Sequence, residues 1–481
     1  MAEYKLFLHR VGLVAIVQLF TSLSGIILLP ILAKNLLIEE YGIWAQVMVT
    51  IGIFPGIVMF GLPYTMVRFL SGLKTQEDIQ ETFYSIFFLV VFTSGIASLL
   101  FFIFSETIAS ILFDKNVFVV KILSLIVFIE CLNSLFTNYL RARQRIKSYS
   151  LCIFFKTTIQ ISIVSFFVIM GYGISGAITG VLITQIVLFC YIFRQIILDI
   201  GIRPPKFKNM KEYLKFGVPT VPGNFSSWIV NSSDRYVIGI LLGTASVGYY
   251  SPGYTLGNII SMFFAPLSFL LPVTLSKSYD ENDLEEVIKI LSYSFKYLMT
   301  IAIPATFGIS ILSKPILTIL STPEIASQGY LITPFVALGA LLLGVYGIIV
   351  QVLVLEKRTL ITGKIWIIAA ILNLLLNFVF IPYFGIVGAA ITTLIAFTIS
   401  LILTMHYSFK FLKFDVNLEF ILKSVVSSIL MSYIIYLLNP EGLISILLTI
   451  GVCASVYFIV LYSLKGFDKN EFELLYNIIK H

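Results

Sequence analysis

The sequence predicts an all-α integral membrane protein of about fourteen transmembrane helices. They form two pseudo-equivalent six-helix lobes followed by two C-terminal helices. Three observations carry this. Of 481 residues, 58% are hydrophobic and only 12% are charged, whereas soluble domains carry roughly 25% charged residues. Runs of Leu, Ile, Phe and Val exceed the ~18 residues that mark a spanning helix. The pattern of one half also returns in the other. Tyr172-Gly173-Ile174-Ser175-Gly176-Ala177 recurs as Phe384-Gly385-Ile386-Val387-Gly388-Ala389, and Tyr41-Gly42-Ile43-Trp44 as Val247-Gly248-Tyr249-Tyr250. The spacings are about 212 and 206 residues, which an indel in one short loop reconciles. Two copies of one helical unit are the usual build of an alternating-access transporter.

In chain order, apolar spans place six helices at roughly 11–33, 43–70, 83–104, 117–139, 150–170 and 176–197. These make an N-lobe over residues 1–198, and a basic cytoplasmic linker covers 199–212. A second set at roughly 213–241, 246–275, 287–312, 328–354, 359–381 and 386–408 makes a C-lobe over 213–409. Helices near 420–438 and 443–463, with a cytoplasmic tail, occupy 410–481. These lengths match the ~20 residues needed per crossing. The first run begins at Val11 without a small-residue cleavage site, so no signal peptide is expected.

An even number of spans puts both termini on one side, and charge says which. Most of the 32 Lys and Arg residues lie in the loops after even-numbered helices and at the chain ends. Arg141, Arg143, Arg145 and Lys147 crowd one such loop; Arg203, Lys206, Lys208 and Lys211 crowd another. The positive-inside rule then makes the termini cytoplasmic in an inner or plasma membrane. It also accounts for the net charge of +7 without nucleic acid. Cys131, Cys152, Cys190 and Cys453 are scattered through apolar runs and read as small buried hydrophobes. His9, His406 and His481 have no ligand spacing, so no metal and no cofactor are expected.

Polar side chains within spans are costly and usually face the bundle interior. The seventh span is the richest. Asn224, Asn231, Asp234 and Arg235 cluster on one helical face with Trp228, just after Gly217, Pro219, Pro222 and Gly223, which should bend or break the helix. Gln18, in the first span, aligns with Asn224 at the 206 offset. The fourth span carries Glu130, Asn133, Ser134 and Thr137; the fifth carries Lys156 and Gln160; the eleventh carries Asn373 and Asn377. Polar stripes of this kind are also common helix-packing contacts, and Lys156 lies where it could snorkel to the interface. An interior Arg suits a phosphate, because its planar fork donates two parallel hydrogen bonds and keeps its charge when desolvated. Amides and aromatics (Asn224, Asn231, Trp228, Tyr250, Tyr254, Asn258) suit sugars. The candidate substrate-binding residues are therefore Arg235, Asp234, Asn231, Asn224, Trp228, Asn258, Lys156 and Gln18. Asp234 and Glu130 are the candidates for ion coupling.

The whole chain resembles the polysaccharide-transport branch of the multidrug/oligosaccharidyl-lipid/polysaccharide (MOP) superfamily, the Wzx-type oligosaccharide flippases. The resemblance rests on Asn373-Leu374-Leu375-Leu376-Asn377 leading into Ile381-Pro382-Tyr383-Phe384-Gly385, on Ser233-Asp234-Arg235-Tyr236, and on the Tyr41-Gly42 turn. It implies a MATE-like fold, with two six-helix lobes around a central cavity that opens alternately to each side. It implies a polyprenyl-pyrophosphate-linked oligosaccharide as cargo, carried to the outer leaflet and driven by an ion gradient. It also implies a cationic cavity, for which Arg235 is the first position and Lys156 the second. Glycosyltransferases and a polymerase of the same pathway are its implied partners, and one chain holds a whole cavity, so a monomer suffices.

Two rival readings are a drug or metabolite exporter of the same superfamily and a membrane O-antigen ligase or polymerase. Exporters often hold a carboxylate in the first helix, and this chain has none between Glu3 and Glu39. A ligase needs an outward loop carrying acid, base or cationic groups. The outward loops here, such as 171–175, 243–248 and 382–385, are short and nearly chargeless, and hold only Lys34, Lys115, Lys121 and Lys314 among the Lys and Arg residues. No enzymatic activity is expected.

Overall fold

The computed structural model describes residues 2–467, with side chains from residue 12 onward. The side chain of His9, and both His481 and the expected tail from 468, lie outside the described residues. The first half of the chain folds as α1 (Ala2–Asn35), α2 (Ile38–Val58), α3 (Leu62–Leu70), α4 (Gln76–Ile103), α5 (Ser105–Leu112), α6 (Val117–Ala142), α7 (Ile146–Ile169) and α8 (Gly173–Ile200). Then come α9 (Met210–Gly217), a 3-10 turn (Val218–Thr220), α10 (Val221–Leu242), α11 (Thr244–Gly257), a second 3-10 segment (Asn258–Phe263) and α12 (Ala265–Asp280). The chain continues as α13 (Leu284–Leu320), α14 (Pro323–Gly329), α15 (Thr333–Leu355), α16 (Thr359–Ser408), α17 (Leu418–Leu438) and α18 (Leu443–Ser463). No strand occurs among the described residues. The protein is an all-α, multi-pass membrane protein: among the described residues 12 helical stretches, one of them running from α11 through α12, are long and apolar enough to cross a bilayer.

Several spans differ from their sequence-based outlines. The helix expected over 43–70 is broken at residues 59–61, where Phe60 (φ 49°) and Gly61 (φ 71°) turn left-handed. A side chain on Gly61 would sit 2.2 Å from the Gly217 carbonyl oxygen, so only glycine permits that approach. The span expected at 213–241 breaks around Pro219 and Pro222, as its composition implies. The one expected at 246–275 is interrupted by the 3-10 segment from Asn258. Two short helices, α5 and α14, were not anticipated; each precedes a long helix at the matching place in its copy of the repeat.

Backbone geometry bears out the repeat. Gly173 (φ 57°) and Gly385 (φ 59°) are equivalent and both left-handed. Gly385 folds α16 back on itself, and Thr392 Oγ1 donates to Asn377 Oδ1 at 2.5 Å across the two arms. The second match goes further, because its two copies touch. A Cβ on Gly42 would lie 1.9 Å from the Thr244 carbonyl oxygen, and one on Gly248 would lie 2.3 Å from that of Ile38. Ile38 and Thr244 are themselves equivalent at the 206 offset. The contact is thus self-complementary, each copy presenting to the other the surface it receives. Lipid gives apolar helices no hydrophobic reason to associate, so backbone approach at small residues supplies the packing.

The described chain divides into two compact units. The first holds residues up to Ser251 together with Gly363–Ala396; the second holds Pro252–Thr362 together with the residues from Phe397. Stacked rings from α4, α6 and α8 centre the first unit, with Phe87, Phe136, Phe189 and Phe193 at centroid distances of 5.4–6.1 Å. The basic linker is tied to α4. Glu81 accepts the backbone N–H groups of Lys206 (2.8 Å) and Lys208 (3.3 Å), and Tyr84 donates to the Gly201 carbonyl (2.5 Å).

Candidate functional site

The break at Gly217–Val221 launches α10, whose polar stripe divides into two places. Toward its C-terminal half, Asp234 and Arg235 pair with each other. Arg235 Nη1 donates to Asp234 Oδ1 at 3.0 Å and to the Asn231 carbonyl at 2.9 Å, and its guanidinium lies 5.7 Å from the Tyr250 ring centroid. Tyr250 donates its hydroxyl to Asp234 Oδ2 at 2.5 Å. Both charges are buried, Arg235 at 8% and Asp234 at 1% exposure. Neighbours from α2 complete the setting: Gln46 Nε2 donates to the Arg235 carbonyl (3.4 Å), and Thr50 and Tyr236 share a hydroxyl contact (2.5 Å). Asn231 spends its amide on the Ser227 carbonyl at 2.7 Å.

Glu130 and Lys156 form a second neutralised pair. Lys156 Nζ reaches both Glu130 oxygens, at 3.1 and 2.9 Å, and Gln185 also donates to that carboxylate. Asn133 in turn donates to the Gln185 carbonyl (3.0 Å) and side-chain oxygen (2.8 Å). The network ties α6, α7 and α8 together and satisfies a carboxylate at membrane depth. Lys156 therefore does not simply snorkel to the interface.

Asn224 and Trp228 lie one and two turns into α10 and face elsewhere. They line a cavity of about 330 Å³ with Gly52 and Gly56 of α2 and with Ser134, Asn138 and Arg141 of α6. Added side chains on Gly52, Gly56 or Gly223 would meet nothing within 4 Å. The Asn224 amide and the Trp228 indole N–H have no hydrogen-bond partner among the described residues. Trp228 stacks on Phe225, with planes 5° apart. Asn138 donates to the Ser134 carbonyl (2.8 Å) and accepts from Arg141 Nη1 (3.2 Å); the Arg141 guanidinium lies 5.9 Å from the Tyr149 ring centroid.

Of the candidates read from sequence, the fold brings Asn224 and Trp228 to this cavity. Asn231, Asp234 and Arg235 form the ion-pair cluster further along α10. Lys156 and Glu130 meet on α6 and α7. Gln18 is exposed on α1, and Asn258 is exposed at the start of the second 3-10 segment; neither lines the cavity. Asn138 and Arg141 were missed, because Arg141 reads as one of a run of topology-setting charges. The available signal was the i, i+4, i+7 spacing of Ser134, Asn138 and Arg141, which extends the fourth-span stripe by one turn.

Residues 31–324 match the family model described as polysaccharide biosynthesis protein. The chain belongs to that family. A relative from Haloferax volcanii named "Probable low-salt glycan biosynthesis flippase Agl15" is 26% identical over 58% of this chain and 60% of its own length. The chain thus spans less than two thirds of that curated relative. A solved lipid II flippase, MurJ in an inward closed conformation, superposes with TM-score 0.77 at 21% identity, over 94% of this chain and 98% of that one. An inward-facing multidrug resistance MATE transporter of the MOP superfamily superposes with TM-score 0.67 at 14% identity, over 82% and 97%. This member of the polysaccharide biosynthesis family therefore carries a MATE-like fold.

Proposed function

We propose that this protein is a flippase that moves a polyprenyl-pyrophosphate-linked oligosaccharide from the cytoplasmic to the outer leaflet. The observation that carries this reading is the cavity lined by Asn224, Trp228, Asn138 and Arg141. It offers an unused amide, an indole and a guanidinium in one space, the groups that hydrogen-bond, stack on and neutralise a sugar phosphate. The family and the flippase named among its relatives support the same reading.

The reading includes fourteen crossings. The bent α16 counts as two and α10, at 22 residues, adds one to the 12 apolar segments. The lobes over 1–198 and 213–409 are the bodies that rock, with the linker at 199–212 between them in sequence. The protein sits in the plasma membrane with both termini cytoplasmic, as the distribution of Lys and Arg supports. It acts as a monomer without catalytic activity, beside the glycosyltransferases and polymerase of its pathway. An ion gradient drives the cycle, and of the two candidate acids Asp234 suits coupling better. It touches both a cation and a hydroxyl at the α10–α11 contact, whereas Glu130 is held by Lys156 and Gln185 within α6–α8.

The test is the sidedness of lipid-linked oligosaccharide in cells lacking the protein, with the native gene added back. Cytoplasmic-face accumulation relieved by the native gene is the expected result. Normal sidedness in the deletion strain, with no redundant flippase present, would overturn the reading.

A further inference from the structure

Resting on the flippase reading, we propose that Arg141 is the residue that binds the cargo's phosphate at the cavity. The three cations considered so far differ in what surrounds them. Arg235 is paired with Asp234 and Lys156 with Glu130, each at 3.0 Å or closer. Among the described residues no carboxylate comes within 4.0 Å of Arg141. Its guanidinium is held by neutral groups instead, the Asn138 side-chain oxygen at 3.2 Å and the Tyr149 ring. That arrangement fixes the direction of the fork while leaving its charge and most of its five N–H donors unspent. Arg141 also lines one cavity with Asn138, Ser134, Asn224 and Trp228, so a phosphate on Arg141 shares that space with an unpaired amide and an indole for the sugar that follows it.

A basic residue that merely set topology would need neither tether nor cavity, and would interact with bulk anionic phospholipid. The chemistry recognised is a phosphate ester on a lipid, and the test separates its two sources. The full-length protein is placed in phosphatidylcholine nanodiscs and titrated with farnesyl pyrophosphate, farnesol and phosphatidylglycerol. Arg141→Gln should weaken farnesyl pyrophosphate by about 10- to 100-fold, the range of a charge-assisted bidentate contact. Farnesol binding should stay unchanged, and Arg141→Lys should recover part of the loss. Because Arg141 is exposed, both variants should keep the native melting temperature.

Equal weakening of farnesol, or no weakening of farnesyl pyrophosphate, would overturn the assignment. So would Arg141-dependent displacement of farnesyl pyrophosphate by phosphatidylglycerol, which would hand the residue to the bulk bilayer. Failure here is distinct from failure of the flippase reading. Native sidedness in cells carrying Arg141→Gln would overturn the role of Arg141 and leave flipping by the native protein in place.

Discussion

Arg235 and Arg141 are the two arginines that a search for an anion site must choose between, and they have opposite surroundings. Arg235 lies within α10, 8% exposed, with Asp234 and the Tyr250 ring against it. Arg141 ends α6, exposed, with an amide and a ring against it and a cavity beside it. The comparison teaches that depth in the membrane is a poor guide to recognition. A buried charge must be neutralised by the protein itself, and a neutralised charge has little left for a ligand. An exposed charge can stay solvated and keep its donors for a ligand.

The comparison breaks most easily at Arg235. Arg235→Ala takes the cation away from buried Asp234, which keeps the Tyr250 hydroxyl and the backbone N–H of residue 235 but no charge partner, and should cost about 3–5 kcal/mol. Thermal unfolding of the purified protein would register it as a large fall in melting temperature. The double variant with Asp234→Ala should recover much of the loss; if it does not, the pair is not what holds Arg235. Arg141→Ala should cost less than about 1 kcal/mol in the same measurement.

Glycine substitutions come next. Gly42→Ala and Gly248→Ala each push a methyl into backbone and should destabilise by about 1–3 kcal/mol, with a similar effect at both because the contact is self-complementary. Gly56→Ala enters open cavity space and should be neutral or stabilising by up to about 1 kcal/mol. A stable Gly42→Ala would show that the tight approach is not required. Glu130→Gln should cost about 1.5–3 kcal/mol through the lost charged hydrogen bonds to Lys156. The smallest effect is expected at Arg203, whose partner Glu77 is 78% exposed. Arg203→Ala should change stability by less than about 1 kcal/mol, and the residual effect should fade in high salt.

Much of the fold is legible in the sequence because membrane helices are written in composition. An apolar run must satisfy its own backbone, and lipid allows few ways to do so. The breaks at Pro219 and Pro222 and the equivalence of Gly173 with Gly385 follow from local backbone rules. Half of the cavity was legible too: Asn224 and Trp228 announce themselves as polar or amphipathic residues in a bent span. The break at Gly61 was not, since its cause is the Gly217 carbonyl, more than 150 residues away. Nor could spacing say that Asp234 and Arg235 consume each other, because adjacent residues leave a helix about 100° apart and their long side chains meet only in a particular packing.

The sequence by itself determined that this protein is helical, spans a membrane repeatedly and is built from two copies of one unit, because periodicity and hydropathy are properties of segments. Tertiary structure alone decided which charges are spent and which remain available. Lys156 looks loose until Glu130 is brought to it from another helix, and Arg141 looks like one of a basic run until α2 and α10 enclose a cavity next to it. Charge is neutralised or kept by neighbours in space, over a few ångströms, and those neighbours are set by packing rather than by order along the chain.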